Sequence, residues 1–267
     1  MKEYKIGIMG IGMVGGSVAR YFEGKGEKPI LYDPPRGLDS KEEINKADMI
    51  FVCVPTPYDE EKGGFDLSYV KQALSILEGE KIVVLKSTIL PGTTDAIQAE
   101  FPHHKILFNP EFLTEVTADQ DMNYPDRQIV GYTEQSFNIA KDLMLLLPLA
   151  PFERIVPARV AEMVKYFNNT WFSTKVIFAN QIYDVCEKMN IDYEEVRDCA
   201  AADKRIGPSH LKVLHKGYRG YGGKCLPKDT RAFIQLGDRV GAEQKLLKIV
   251  ENINNGLVAK NEDKADN

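Results

Sequence analysis

Tyr4-Lys5-Ile6-Gly7-Ile8-Met9 runs directly into Gly10-Ile11-Gly12-Met13-Val14-Gly15, and the residues from there to about Phe22 read as a helix. The order decides the fold: a short buried strand, a glycine-rich turn, then a helix. Glycines in such a turn let a pyrophosphate approach the helix N-terminus, where free N–H groups and the helix dipole favour anions. Pro29 to Asp33 reads as a second strand ending in an acid. That acid falls about 20 residues beyond the turn, where a carboxylate accepts a hydrogen bond from a ribose hydroxyl. It would repel a 2′-phosphate and so favours NAD over NADP, although Arg36 close by weakens the preference. The alternative is a purely structural Gly-rich turn.

Further along, Met49 to Val54, Ile82–Leu85, Ile106–Phe108 and Gln128–Val130 read as short apolar strands, with helices at roughly 67–78 and 93–100. Strands alternating with helices predict a mostly parallel sheet covered on both faces. The pattern changes after Pro151. From Pro157 to about Asn190 there is no further Gly or Pro, and Val160, Met163, Val164, Phe167 and Trp171 recur at helical spacing. A continuous helix there is about 50 Å long at 1.5 Å per residue. A second helix is expected from Tyr193 to about Ala202, and a third from Thr230 to near Asn254, bent near Gly237 and Gly241. The expected class is α/β: an N-terminal Rossmann-type doubly wound parallel sheet, then an all-helical dimerisation domain with a long central helix. The expected boundaries are 1–152, 153–260 carrying a cysteine-containing loop, and a polar, fraying tail at 261–267.

Composition sets the outer limits. The chain has 267 residues, 43% hydrophobic and 27% charged, with net charge −5. These values describe a soluble globular protein and argue against a general nucleic-acid binder. The longest apolar runs are too short to span a bilayer, and the N-terminus lacks a signal-peptide layout. Cys53, Cys186, Cys199 and Cys225 form no CxxC pair, so no metal site is expected and reduced thiols in the cytoplasm fit best. His103, His104, His210 and His215 lack metal-ligand spacing and read as surface or loop residues.

Several stretches carry candidate chemistry. Gly220-Tyr221-Gly222-Gly223-Lys224-Cys225-Leu226-Pro227-Lys228-Asp229 sets one cysteine in a glycine-rich backbone, with Lys224 and Lys228 able to favour a thiolate. A tight turn holding an inert cysteine is the other reading. Val54-Pro55-Thr56-Pro57 and Lys86-Ser87-Thr88-Ile89-Leu90-Pro91-Gly92-Thr93-Thr94 both follow strands, which points Thr56 and Thr88 toward a cofactor crevice. Each is as readily a hydroxyl-capped turn. Glu111 and Glu115, in Asn109-Pro110-Glu111-Phe112-Leu113-Thr114-Glu115, are acid–base candidates or simply an exposed loop acid and an early helix residue. Glu162, Lys165 and Asn169 share one helix face, by default a solvated one with a Glu162–Lys165 pair worth a few tenths of a kcal/mol. Asn168 and Asn169 are poor helix formers in mid-helix.

GIGMVG, CVPTP, STILPGTT, NPEFLTE, PDRQIVG, AEMVKYFNNT, RIG and GYGGKCLPKDT occur in this order along nearly the whole chain. In these motifs the chain resembles the UDP-glucose/GDP-mannose 6-dehydrogenases, NAD-dependent four-electron oxidoreductases that turn a sugar nucleotide's C6 alcohol into a carboxylate for polysaccharide biosynthesis. The resemblance implies that Cys225 traps an aldehyde as a thiohemiacetal, later oxidised to a thioester and hydrolysed. It implies that Lys165 and Asn169 stabilise oxyanions, that Thr88 and Asp229 position a water, and that Glu111 serves in acid–base steps. It places Gly10, Gly12, Met13, Val14, Gly15, Asp33, Val54, Pro55, Thr56, Thr88, Glu115 and Lys228 at the cofactor. It places Phe112, Leu113, Lys165, Asn169, Asn180, Arg205, Tyr221, Gly222 and Gly223 at the substrate. It implies a homodimer built on the long helix.

The chain also departs from that family. A helical insert expected between Asp33 and Cys53 looks deleted. The sequence ends soon after Glu251-Asn252-Ile253-Asn254-Asn255, where a third domain gripping the nucleotide follows in the family. A separate chain supplying that domain is one expectation. Thr114 stands where bacterial relatives often carry a basic residue, and Lys216-Gly217-Tyr218-Arg219 where a Pro-Gly is usual. Two other classes fit part of the pattern: a truncated NAD-binding dimeric structural or regulatory protein, and a two-electron dehydrogenase of the 6-phosphogluconate or 3-hydroxyacid type. The latter uses a helix lysine and needs no cysteine.

Overall fold

The computed structural model describes residues 3–61, 64–214, 217–223 and 225–265, and for 260–265 the backbone alone. Lys224, Lys216 and His215 therefore lie outside the described residues. The chain forms two compact units, Met1–Lys165 and Tyr166–Asn267.

The first unit begins with β1 (Ile6–Met9), α1 (Met13–Gly24), β2 (Ile30–Tyr32), α2 (Lys41–Ile44) and β3 (Met49–Val52). A small hairpin of β4 (Tyr58–Asp59) and β5 (Gly64–Phe65) follows, then α3 (Ser68–Ser75), β6 (Ile82–Leu85), α4 (Thr93–Glu100) and β7 (Lys105–Phe108). The unit continues through α5 (Ala118–Asn123), β8 (Arg127–Tyr132), α6 (Phe137–Leu146) and β9 (Phe152–Pro157) into the start of α7 (Ala158–Met189). The main sheet has seven strands in the order β2-β1-β3-β6-β7-β8-β9, with β7–β8 the antiparallel pair and the other neighbours parallel.

The strand sequences explain this. IGIM, MIFV and IVVL are buried at every position, as a sheet covered on both faces requires. Period-two alternation then sorts the side chains. Ile6, Ile8, Met49, Phe51 and Val84 enter one core cluster with Val18 and Phe22 of α1. Met9, Ile50, Val52, Val83 and Leu85 enter the opposite one with Val70 and Leu74 of α3. Each fully buried side chain of this size contributes about 1.5–3 kcal/mol.

β9 differs from the expected organisation. Its pattern is mostly exposed because it is the outer strand, so FERIVP carries no buried-strand signal. Its residues complete the sheet past position 152, and Ala161 of α7 joins the second core cluster. The units accordingly divide at Lys165/Tyr166 instead of 152/153.

The second unit holds the rest of α7, then α8 (Tyr193–Ala201), α9 (Leu226–Arg239) and α10 (Lys245–Ala265). α7 has 32 residues and follows Pro157 directly. It ends at Asn190, whose φ of 54° is the left-handed conformation of a helix stop. Asp192 accepts the Glu194 N–H at 2.8 Å and starts α8. The single bent helix expected from Thr230 to Asn254 is two helices, because the chain turns at Gly241 (φ 75°). α10 carries the chain in helical form to Ala265, where a fraying tail was expected. Among the described residues no helix is long and apolar enough to cross a membrane.

Candidate active site

The C-terminal ends of β1 and β3 lie at the point where the sheet's connections reverse, since β2 leaves β1 on one side and β3 on the other. Ligands of doubly wound sheets bind in that crevice. The backbones come close there: a Cβ on Gly10 would stand 2.9 Å from the Cys53 carbonyl, and one on Gly15 would stand 1.9 Å from the Gly10 oxygen. Beyond Gly12, a Cβ would meet nothing within 4 Å. α1 starts with no side-chain cap and no acid in its first turn. Met13 is exposed and Val14 half-buried at this end.

Asp33 Oδ2 accepts the Ile11 N–H at 2.7 Å and lies 3.5 Å from Arg36 Nε. Its other oxygen has no hydrogen bond from the described residues. An uncapped helix end facing open space, plus a carboxylate with one oxygen to spare, fit the pyrophosphate and ribose of a dinucleotide. Val54 and Pro55 leave β3 at the same end, and Ser87 Oγ donates to the Val54 carbonyl at 2.6 Å. The Thr56 hydroxyl donates to the Thr88 carbonyl at 2.7 Å, so its observed work is to brace the Thr88 strand end. Glu115 is exposed.

The second feature of this unit is a buried ion pair. Lys165 Nζ donates to Glu111 Oε1 at 2.5 Å and to the Glu111 carbonyl at 2.8 Å, and both side chains are only 9% exposed. Glu111 Oε2 accepts the Leu113 N–H at 2.9 Å. Burial by itself raises the Glu111 carboxyl. The Lys165 ammonium, the Leu113 N–H and Lys86 outweigh it and hold Glu111 below the usual carboxylate range. Phe112 lies under the Arg127 guanidinium, 4.0 Å from its ring centre.

Lys165 therefore pairs across 54 residues of sequence and not with Glu162, as the helix spacing suggested. Glu162 is fully buried and accepts three hydrogen bonds at the start of α4, from Gly92 N–H (2.6 Å), Thr94 N–H (2.8 Å) and the Thr94 hydroxyl (2.6 Å). The face is buried, not solvated.

In the second unit Asn169 Nδ2 donates to Asp229 Oδ2 at 2.5 Å, and Lys228 Nζ pairs with Asp229 Oδ1 at 2.6 Å. Asp229 is fully buried. Cys225 is exposed and occupies the N-cap of α9, its carbonyl accepting the Asp229 N–H at 3.0 Å. Tyr221 is buried, Gly222 half-buried and Gly223 exposed. Asn180 is buried, donating to the Val176 carbonyl and accepting from Arg219 Nε. Arg205 is 90% exposed and pairs with Asp203.

Two buried titratable residues escaped the sequence reading. Lys86 is buried, donates to Asn109 Oδ1 at 2.6 Å, and is pushed down to about 8 by burial. His104, expected at the surface, is 1% exposed, and burial pushes it down to about 4. Lys86 follows four buried strand residues directly, and a charge at that boundary was the available signal.

The crevice at the reversal point, the uncapped α1 and the free Asp33 oxygen define a dinucleotide-binding α/β domain, here followed by a helical unit. Residues 37–144 match the NAD binding domain of the UDP-glucose/GDP-mannose dehydrogenase family, and residues 159–256 match its central domain. The chain belongs to the UDP-glucose/GDP-mannose dehydrogenase family. UDP-glucose 6-dehydrogenase YwqF of Bacillus subtilis is 36% identical over 236 residues, 84% of this chain and 52% of that protein. GDP-mannose 6-dehydrogenase of Pseudomonas aeruginosa is 29% identical over 240 residues, 83% of this chain and 54% of that protein. A solved UDP-glucose dehydrogenase from the hyperthermophilic archaeon Pyrobaculum islandicum superposes with a TM-score of 0.82 at 28% identity, covering 95% of this chain and 68% of the other. The chain spans about half the length of the curated relatives it matches.

Proposed function

We propose that this chain oxidises the C6 alcohol of a sugar nucleotide to the carboxylate, with NAD as electron acceptor and Cys225 as covalent anchor. The observation that carries this is the donor arrangement on α7. Lys165 commits two N–H donors of its ammonium to Glu111 and keeps a third. Asn169 commits one amide N–H to Asp229 and keeps its second. The two residues stand four apart, one helical turn. Among the described residues these two donors are spare, and such a pair suits an oxygen that becomes negative during reaction.

The α1 N-terminus and Asp33 would hold NAD, which when bound would supply hydride acceptance. The residues do the rest. Glu111 takes the proton of the substrate hydroxyl in the first oxidation, directly or through a water. Cys225 Sγ bonds to the aldehyde carbon, and the carbonyl oxygen becomes the thiohemiacetal oxygen, steadied by Lys165 and Asn169. The second oxidation leaves a thioester on Cys225. Water, oriented by Thr88 and Asp229, adds to the thioester carbon; the C–S bond breaks, the thiol regains its proton and the carboxylate leaves. The test is NADH appearance with a panel of UDP- and GDP-sugars. Two NADH per sugar consumed is the expected result, and no turnover across the panel in the presence of NAD sinks the reading.

The same reading assigns a homodimer. Phe167, Trp171, Phe178, Val185 and Met189 are exposed on α7 at spacings of four, seven, seven and four, which is one stripe of the helix. Phe167 is 71% exposed and Phe178 63%. Light scattering on the unmodified chain should give twice the 30.0 kDa chain mass, and Trp171→Glu combined with Phe178→Glu should give the monomer. A monomeric unmodified chain at micromolar concentration refutes the assignment. Among the described residues Cys53, Cys186, Cys199 and Cys225 form no disulfide, which suits a reducing, cytoplasmic setting.

A further inference from the structure

Asn254 lies on the buried face of α10, between Val250 and Leu257, which pack with Tyr221 in one apolar cluster. It is 4% exposed, as is Tyr221. Its amide makes a reciprocal pair with the Tyr221 main chain: Tyr221 N–H donates to Asn254 Oδ1 at 2.7 Å, and Asn254 Nδ2 donates to the Tyr221 carbonyl at 3.0 Å. One side chain thus performs the exchange that a neighbouring strand performs in a ladder. The fit extends to the preceding residue. Gly220 has a φ of 85°, and a Cβ there would stand 2.7 Å from Asn254 Oδ1. The chain can come this close to the amide only without a side chain at 220.

A polar residue at the centre of an apolar helix face needs its partners. Here both partners are main-chain atoms four residues before Cys225. The contact leaves the side chains of the loop untouched and fixes where its backbone starts. The far end of the loop is fixed by the first turn of α9, where Asp229 N–H returns to the Cys225 carbonyl.

We propose that Asn254 is the positioning residue of the cysteine loop, holding the backbone from Gly220 through Tyr221 so that Cys225 is presented at the N-terminus of α9. The inference rests on the reading of Cys225 as the reactive thiol. It gives α10 a part in the chemistry through the backbone of the cysteine loop.

The test is the labelling rate of Cys225 relative to Cys199 in the full chain. A dithiodipyridine probe reacts with both, and peptide mass spectrometry separates them. Cys199 is exposed on α8 and serves as internal reference. Asn254→Ala should change the Cys225:Cys199 ratio by at least about fivefold, roughly the equilibrium factor of one net hydrogen bond. Asn254→Asp keeps the shape and, while protonated, both the donor and the acceptor. Burial raises the introduced carboxyl and keeps it protonated at about pH 5, where it should match the unmodified chain; at about pH 8, where the carboxylate faces the Tyr221 carbonyl, it should depart from it. Circular dichroism restricts the comparison to folded protein, and Asn254→Asp decides the matter if Asn254→Ala fails to fold. Ratios within about twofold of the unmodified chain at both pH values, for every folded variant, overturn the proposal. Failure of the dehydrogenase reading shows separately, as absent NADH formation by the unmodified chain, and leaves the labelling ratio free to respond.

Discussion

Cys225→Ser will form no carboxylate from a sugar nucleotide while still binding NAD. The substitution changes one atom at the N-cap of α9, on an exposed side chain, so the fold has little reason to respond. The chemistry has every reason. A thiolate is accessible near neutral pH and an alkoxide is not, so serine gains and loses the covalent aldehyde far more slowly. Acid formation should fall by at least about a thousandfold, within the range seen when a nucleophile is deleted. NAD binding rests on Gly10–Gly15 and Asp33 in the first unit and should change by less than about twofold. Product analysis beside isothermal titration with NAD reads both quantities. Acid formation at an undiminished rate would overturn the covalent mechanism.

Lys165→Met will cost both stability and activity. It leaves the Glu111 carboxylate buried with its nearest cation removed, a change worth about 3–5 kcal/mol when one partner of a buried pair is deleted. Both partners are only 9% exposed, so water screens little of this. The activity should drop by about 10²–10³, as for loss of one oxyanion donor. Glu111→Gln added to Lys165→Met should recover part of the stability, because the stranded charge is then gone. Urea denaturation of the two single variants and the double variant measures the coupling. A single Lys165→Met loss within about 1 kcal/mol, the scale of an exposed pair, would mean that the pair is not buried as described.

The pH dependence carries a definite sign. Glu111 is held below its unfolded value, so its contribution is complete above the ordinary carboxylate range and is lost as pH falls through the folded value. The unmodified chain should therefore lose this part of its stability only in acid. In Lys165→Met the main opposing charge is absent and burial dominates, so Glu111 moves up and its contribution reverses. Stability should then decline as pH rises through the shifted value toward neutrality.

The sequence determined what depends on neighbours along the chain. IGIM, MIFV and IVVL are apolar at every position, and such runs have few places to go except a sheet covered on both faces. The glycine turn after β1, Asp33 at the end of β2 and the Gly- and Pro-free run of α7 were legible for the same reason: each is a local constraint on backbone or helix. The motif order led to the family, and with it to Glu111, Lys165, Asn169, Cys225 and Asp229 as candidates.

The tertiary structure decided what depends on which distant atoms meet. The outer strand β9 has no apolar run and becomes a strand only because β8 offers it an edge. Gly241 could bend a helix or end one, and the chain's path at that point ended it. Helix spacing offered Lys165 the nearby Glu162. Glu111, 54 residues away, won because a buried ammonium needs a buried carboxylate, while Glu162 was already committed to the open N–H groups of α4. In the sequence Asn254 marked only the approximate end of an expected helix. Only the return of α10 to Tyr221 gave its amide two main-chain partners, since a hydrogen bond forms between atoms that the fold brings together, whatever their separation along the chain.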